Sequence, residues 1–132
     1  MLLLDTDVMI DLLRQYTPAV AWLDSLGDEE IVLPGFVVME LIQGCRNKRE
    51  QDRVETALAT YRVAWPSPAT CDAALSAFAS YYLSHNLGIL DALIAQMAVT
   101  LSVPLHTFNQ KHYVAIPYLI TIQPYAKDTS RT

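Results

Sequence analysis

The chain has 132 residues, 52% hydrophobic and 17% charged, against about 25% charged in an average globular domain. Nine Lys and Arg against fourteen Asp and Glu leave a formal net charge of −5. These values exclude a disordered chain, a collagen-like chain and a coiled coil, and argue against a protein that coats nucleic acid through bulk positive charge.

In chain order, Leu2 to Leu4 is a short apolar run that ends in Asp-Thr-Asp, which predicts a buried strand opening into a helix capped by Thr6 or Asp7. Val8, Met9, Leu12 and Leu13 form the apolar stripe of that helix, with Asp7, Asp11 and Arg14 opposite. Thr17-Pro18 starts a second helix that runs to Ser25 and is closed by Gly27-Asp28. Ile31 to Leu33 is the next strand, followed by a helix over Phe36 to Cys45. Asn47 to Arg62 is a polar helix with Val54, Ala57, Leu58 and Tyr61 inward. Arg62 to Trp65 is a strand, and Pro68 to Ser84 a long Ala-rich helix. A loop at His85 to Gly88 leads to a helix from Leu90 to Leu101 that is apolar nearly all round, hence buried on most faces. Leu105 to Thr107, a helical turn over Asn109 to Val114, and a strand over Leu119 to Ile122 complete the pattern.

Short apolar strands alternating with helices predict an α/β fold with a parallel sheet between helical layers, and a site at the C-terminal strand ends near a switch in strand order. The length suits one domain, expected over 1–126, with a frayed polar tail over 127–132. The N-terminal run lacks a basic region and stops at Asp5, so it reads as neither signal peptide nor membrane span. Cys45 and Cys71 have no metal or redox spacing and suit a reducing cytoplasm. His85, His106 and His112 read as turn or core residues, with His112 the weaker candidate for a substrate contact.

Three acids break the apolar pattern: Asp5 ends the first strand, Glu40 interrupts Phe-Val-Val-Met-Glu-Leu-Ile, and Asp91 opens the most apolar helix. Each has an ordinary reading as a cap, a solvated position or a partner of the helix dipole. Together they are harder to place, because a buried ionised carboxylate costs several kcal/mol unless it is paired or binds a metal. Only Arg14 and Arg46 lie within a few turns. If the three converge, an all-oxygen set suits a hard cation, Mg²⁺ or Mn²⁺, which lowers the pKa of a bound water and stabilises a leaving oxygen. Four of the nine basic residues, Arg46, Lys48, Arg49 and Arg53, crowd one segment and read either as a solvated face interleaved with Glu50, Asp52 and Glu55 or as a phosphate-contacting rim with Arg14 and Lys111.

Four blocks then resemble a known family. Leu-Leu-Leu-Asp-Thr-Asp-Val-Met-Ile-Asp resembles the opening of PIN-domain proteins. Val-Val-Met-Glu-Leu-Ile-Gln-Gly resembles their second block, Gly-Ile-Leu-Asp-Ala-Leu-Ile-Ala the third, and Leu-His-Thr-Phe-Asn-Gln-Lys-His-Tyr the fourth. The blocks keep the family's order over nearly the whole chain, and the size resembles VapC-type toxins of toxin–antitoxin pairs. The resemblance implies a PIN-like three-layer α/β/α sandwich with a five-stranded parallel sheet, and a Mg²⁺-dependent endoribonuclease. It implies that Asp5, Glu40 and Asp91 are the catalytic, metal-binding acids, that Thr6, Asp7 and Thr107 support them, and that Asn109 is a weaker metal position. RNA as substrate, a VapB-like antitoxin and a homodimer are implied in the same way. Asp7 departs from the commoner Asn, and Asn109 stands where many relatives carry an acid. Two other readings stand beside it. One is a PIN-like module that binds RNA or protein without cutting. The other is a haloacid-dehalogenase-type phosphatase with Asp5 as nucleophile and Asp7 as general acid, which lacks a Gly-Asp-x-x-x-Asp-like block near the C-terminus.

Overall fold

The structure is a computed structural model and describes residues 1–127. Five strands, β1 (Leu2–Leu4), β2 (Ile31–Pro34), β3 (Arg62–Ala64), β4 (Leu105–His106) and β5 (Thr121–Ile122), form one sheet of order β3-β2-β1-β4-β5. Every pairing is parallel, with Leu3 opposite Val32 on one side and Leu105 on the other. The helices are α1 (Thr6–Leu13), α2 (Thr17–Ser25), α3 (Gly35–Gln43), α4 (Lys48–Leu58), α5 (Pro68–His85), α6 (Ile89–Leu101) and α7 (Gln110–Tyr113). Parallel strands need crossovers, and right-handed crossovers to either side of β1 put helices on both faces of the sheet. This is the predicted α/β/α arrangement of a five-stranded parallel sheet.

The central strands are apolar because both of their faces are covered. Leu3, Leu4, Leu33 and Leu105 are fully buried and join Val8, Met9, Val37, Ile94 and Ala95 in one core. The small side chains of α6 have a packing reason: Ala92, Ala95 and Ala98 are buried, and α6 lies along α5, its main helical neighbour. Its ends are less covered than the sequence suggests, with Ile89 and Leu101 exposed. Gly35 opens α3 beneath the Trp65 ring, where an added Cβ would meet ring carbons at 2.3 Å.

Several local expectations shift. The cap of α1 is Asp5, not Thr6 or Asp7: its side chain accepts the Thr6 N–H, so the strand-ending acid is itself the first residue of the turn. The polar helix α4 ends at Leu58 rather than Arg62, after an Asn47 cap bonded to the Glu50 N–H. Ala57 on that helix is exposed while Leu58 is buried. His106 is a core residue under Trp22, with ring centroids 5.3 Å apart, and burial lowers its pKa so that it stays neutral. Among the described residues no helix is long and apolar enough to cross a membrane. The tail expected to fray lies, over 128–132, outside the described residues. Lys127 at its start reaches Asp11 at 3.2 Å and lies over the Phe108 ring.

Candidate active site

The chain fills β1, β2 and β3 outward in one direction, then returns to place β4 on the other side of β1. The strand order therefore reverses between β1 and β4, where open parallel sheets form a crevice at their C-terminal ends. Asp5 follows β1 at that crevice and Thr107 follows β4. Asp5 is 6% exposed and Thr107 fully buried. Thr107 donates its hydroxyl to Asp5 Oδ2 at 2.9 Å and accepts the Asn109 N–H at 3.0 Å.

The three out-of-pattern acids meet here through shared donors. Thr6 donates its N–H to Asp5 Oδ1 at 2.8 Å and its hydroxyl to Glu40 Oε1 at 3.1 Å. The Tyr113 hydroxyl lies 2.8 Å from Asp5 Oδ2 and 3.3 Å from Asp91 Oδ1. Asp91, at the N-terminus of α6, also accepts the Gly88 N–H at 3.3 Å. Three elements thus supply the acids: the β1–α1 junction, α3 and α6. Burial raises the Asp5 carboxyl above the usual range; its bonds to Tyr113, Thr6 and Thr107 offset part of that, and the Asp91 charge adds to it. Burial likewise raises Glu40, with Asp5 and Asp91 contributing. Asp5 thus feels the charge of Asp91, and Glu40 feels both. No Lys or Arg forms an ion pair with any of the three among the described residues.

Asp7 points to a different task. Its carboxylate accepts the Val8 N–H at 2.8 Å and the Phe108 N–H at 2.9 Å, tying α1 to the loop that carries Thr107 and Asn109. Burial, then the charge of Asp5, pushes its pKa up to about 6. Asn109 contributes its backbone; its side chain is exposed and makes no hydrogen bond among the described residues. His112 Nδ1 stands 4.0 Å from Asp91 Oδ2, too far for a hydrogen bond. Tyr113 was not singled out from the sequence. It closes the fourth block, and the signal that could have found it is a phenol at a position facing two carboxylates.

The basic residues are spread around this centre. Arg14 is exposed beyond α1 and shares a cavity of about 380 Å³ with Glu40, Arg53, Ile10 and Leu41. Arg46 binds Glu50 through two guanidinium nitrogens, and Lys48 pairs with Asp52 at 2.8 Å. Arg49 is exposed with no ion pair among the described residues. Lys111, on α7, lines a separate cavity with Gln110, Tyr113 and Thr121. The structure therefore brings the acids and their hydroxyl partners together and leaves the cations on the rim.

The donor chemistry at the centre is carboxylate and hydroxyl oxygen alone, the set preferred by hard cations. Among the described residues no three His, Cys, Asp or Glu side chains gather closely enough to close a shell around one ion. The residues fit a partly hydrated divalent ion, which uses one or two carboxylates and keeps its waters, rather than a caged one.

The sequence matches the PIN domain family over residues 2–115, and the chain belongs to that family. No curated protein matches it. Among solved structures it is similar to a toxin–antitoxin complex from Klebsiella pneumoniae (23% identity, 96% of this chain and 100% of that one, TM-score 0.78). It is similar also to VapBC2 from Rickettsia felis bound to a DNA fragment from its promoter (22%, 92% and 96%, TM-score 0.75). FitAcB from Neisseria gonorrhoeae is a third (26%, 94% and 98%, TM-score 0.73). Membership of the PIN family sets aside the dehalogenase-type reading, and the geometry agrees: Asp7 serves backbone N–H groups instead of standing free as a general acid.

Proposed function

We propose that this chain is a divalent-metal-dependent endoribonuclease, the toxin of a VapBC-type toxin–antitoxin pair. The observation that carries the reading is the linkage of Asp5 to Glu40 through Thr6 and to Asp91 through Tyr113, at the β1–β4 crevice, with no paired Lys or Arg among the described residues. Three mutually repelling carboxylates there are best explained by a cation. When bound, Mg²⁺ or Mn²⁺ supplies a water of lowered pKa and stabilises charge on the leaving oxygen of a phosphodiester.

The chain's own residues do the rest. Asp5, Glu40 and Asp91 would hold the ion, in part through its own waters, and Thr6 and Thr107 fix the Asp5 and Glu40 carboxylates in orientation. Glu40, the one of the three acids that lines the rim cavity, would take a proton from the attacking water at Oε2, since Oε1 already accepts from Thr6. Asp7 holds the β4–α7 loop against α1. Arg14, Arg49 and Lys111 receive RNA phosphates first. Arg46 and Lys48 can join by exchanging Glu50 and Asp52 for phosphate, because exposed ion pairs are worth only about 0–1 kcal/mol. Local placement of these cations answers the net charge of −5.

The antitoxin belongs to the same reading, since the similar structures include a toxin–antitoxin complex. The cavity beside Glu40 has apolar walls at Ile10, Leu13 and Leu41, suited to a partner segment that brings a cation to the acids. A homodimer in the cytoplasm completes the proposal. The test is sequencing of RNA 5′ ends after pulsed expression of the wild type and of Asp5→Asn. New ends in the wild type alone support the reading; the same ends in both overturn it.

A further inference from the structure

Tyr113 is 2% exposed, yet its hydroxyl touches two acids from distant parts of the chain. The hydroxyl carries one proton, and the shorter contact gives it to Asp5 Oδ2. A carboxylate offers about four lone-pair positions. On Asp5, Thr6 takes one on Oδ1, while Thr107 and Tyr113 take both on Oδ2. One position remains, on Oδ1, beside the Thr6 that also serves Glu40. The Tyr113 ring lies on the buried side of the acids, whereas Glu40 and Asp91 are only half-buried. A cation arriving from solvent therefore meets the carboxylates on the face away from the phenol. Burial and the two neighbouring charges hold the phenol protonated, so it remains a donor.

We propose that Tyr113 is a positioning residue for the acid centre: its one proton closes Asp5 Oδ2, which leaves the open lone pair of Asp5 on Oδ1, and its oxygen stands between Asp5 and Asp91. The inference rests on the proposed metal-dependent function and adds to it a residue that acts through the carboxylates rather than on the ion. Hydrogen-bond partners that orient metal ligands commonly change affinity by about 10–100-fold. Removing the hydroxyl also leaves two carboxylates facing each other with no donor between them.

The test is Mn²⁺ binding by titration calorimetry to wild type, Tyr113→Phe and Asp91→Asn, each first checked for native circular dichroism in EDTA. The account expects Mn²⁺ affinity at least about tenfold weaker in Tyr113→Phe. It also expects a reduced kcat on a cleavable RNA with KM unchanged, since the phenol hydroxyl bonds the acids and not a basic side chain. Wild-type affinity within about twofold in Tyr113→Phe, or tighter binding, overturns the role of Tyr113 while leaving the metal site standing. Absence of Mn²⁺ binding to the wild type overturns the metal-dependent function and, with it, this role. Should Tyr113→Phe lose its native spectrum, Tyr113→His, which restores a ring N–H donor, takes its place, and affinity no better than that of Asp91→Asn overturns the proposal.

Discussion

Thr107 gives its hydroxyl to Asp5 across 102 positions of sequence, at 2.9 Å, and accepts the Asn109 N–H on the same oxygen. This one side chain joins the ends of the two adjacent strands that define the crevice. Replacing Thr107 by Val keeps the shape and removes both bonds, leaving the Asn109 N–H without its Thr107 partner and the buried Asp5 one donor short. A loss of about 1–3 kcal/mol in urea unfolding is expected, together with reduced cleavage. A change below roughly 0.5 kcal/mol would show that the hydroxyl is not part of the strand junction.

Asp7 makes stability depend on pH in an unusual direction. Burial and the charge of Asp5 push its carboxyl up to about 6 in the folded protein, from about 3.9 for a free Asp. Between those values the folded chain still holds a proton that the unfolded chain has released, so unfolding free energy falls as pH rises through the interval and levels off above it. The contribution lost is on the order of 2 kcal/mol, less than the full shift implies because the side chain is only partly buried. Asp7→Asn cannot titrate. In EDTA, its urea stability relative to wild type is expected to rise steadily from pH 4 to pH 6.5. A difference that is flat across that range contradicts the assignment.

The acids should oppose folding until a cation arrives. Asp91→Asn removes one repelling charge while retaining groups that can meet Gly88 N–H and the Tyr113 oxygen. The metal-free variant is expected to melt at or above the wild-type temperature, and to lose the further stabilisation that Mn²⁺ gives the wild type by binding only the folded state. Equal Mn²⁺-induced shifts in both proteins would remove Asp91 from the ion's ligands.

RNA affinity should follow the unpaired cations. Arg14→Ala with Arg49→Ala removes two side chains with no ion pair among the described residues, whereas Arg46 and Lys48 are already bonded to Glu50 and Asp52. For single-stranded RNA each lost phosphate contact lowers the slope of log affinity against log salt by about 0.7. The first pair is expected to flatten the slope more than Arg46→Ala with Lys48→Ala. The reverse order would place the phosphate track along α4 alone.

Much of this centre was legible in the sequence because acids are conspicuous in a chain so poor in charge. Asp5, Glu40 and Asp91 stand out against apolar neighbours, and period and punctuation place them at a strand end and on two helices. What remained hidden was partnership. The sequence offers Thr6 or Asp7 as the helix cap, with a cap also among the ordinary readings of Asp5, and packing chooses Asp5, because a strand that ends at its carboxylate leaves the next N–H within reach of that same side chain. The phenol of Tyr113 was invisible as a site residue, since an aromatic closing a short helix serves the core equally well. The cluster of cations from Arg46 to Arg53 could be a rim or a solvated face; the Arg46–Glu50 and Lys48–Asp52 pairs give part of it to the second reading and leave Arg49 to the first. Strand limits moved because β4 and β5 are two residues each, too short for alternation to define them.

The central claim is that Asp5, Glu40 and Asp91 bind a divalent ion that RNA cleavage requires. The direct measurement is cleavage of one defined RNA by purified wild-type protein and by Glu40→Gln, in EDTA and after Mg²⁺ is restored in excess. Cleavage by the wild type only when Mg²⁺ is present, and none by Glu40→Gln in either condition, is the predicted result. Undiminished cleavage in EDTA, or full activity in Glu40→Gln, would contradict it.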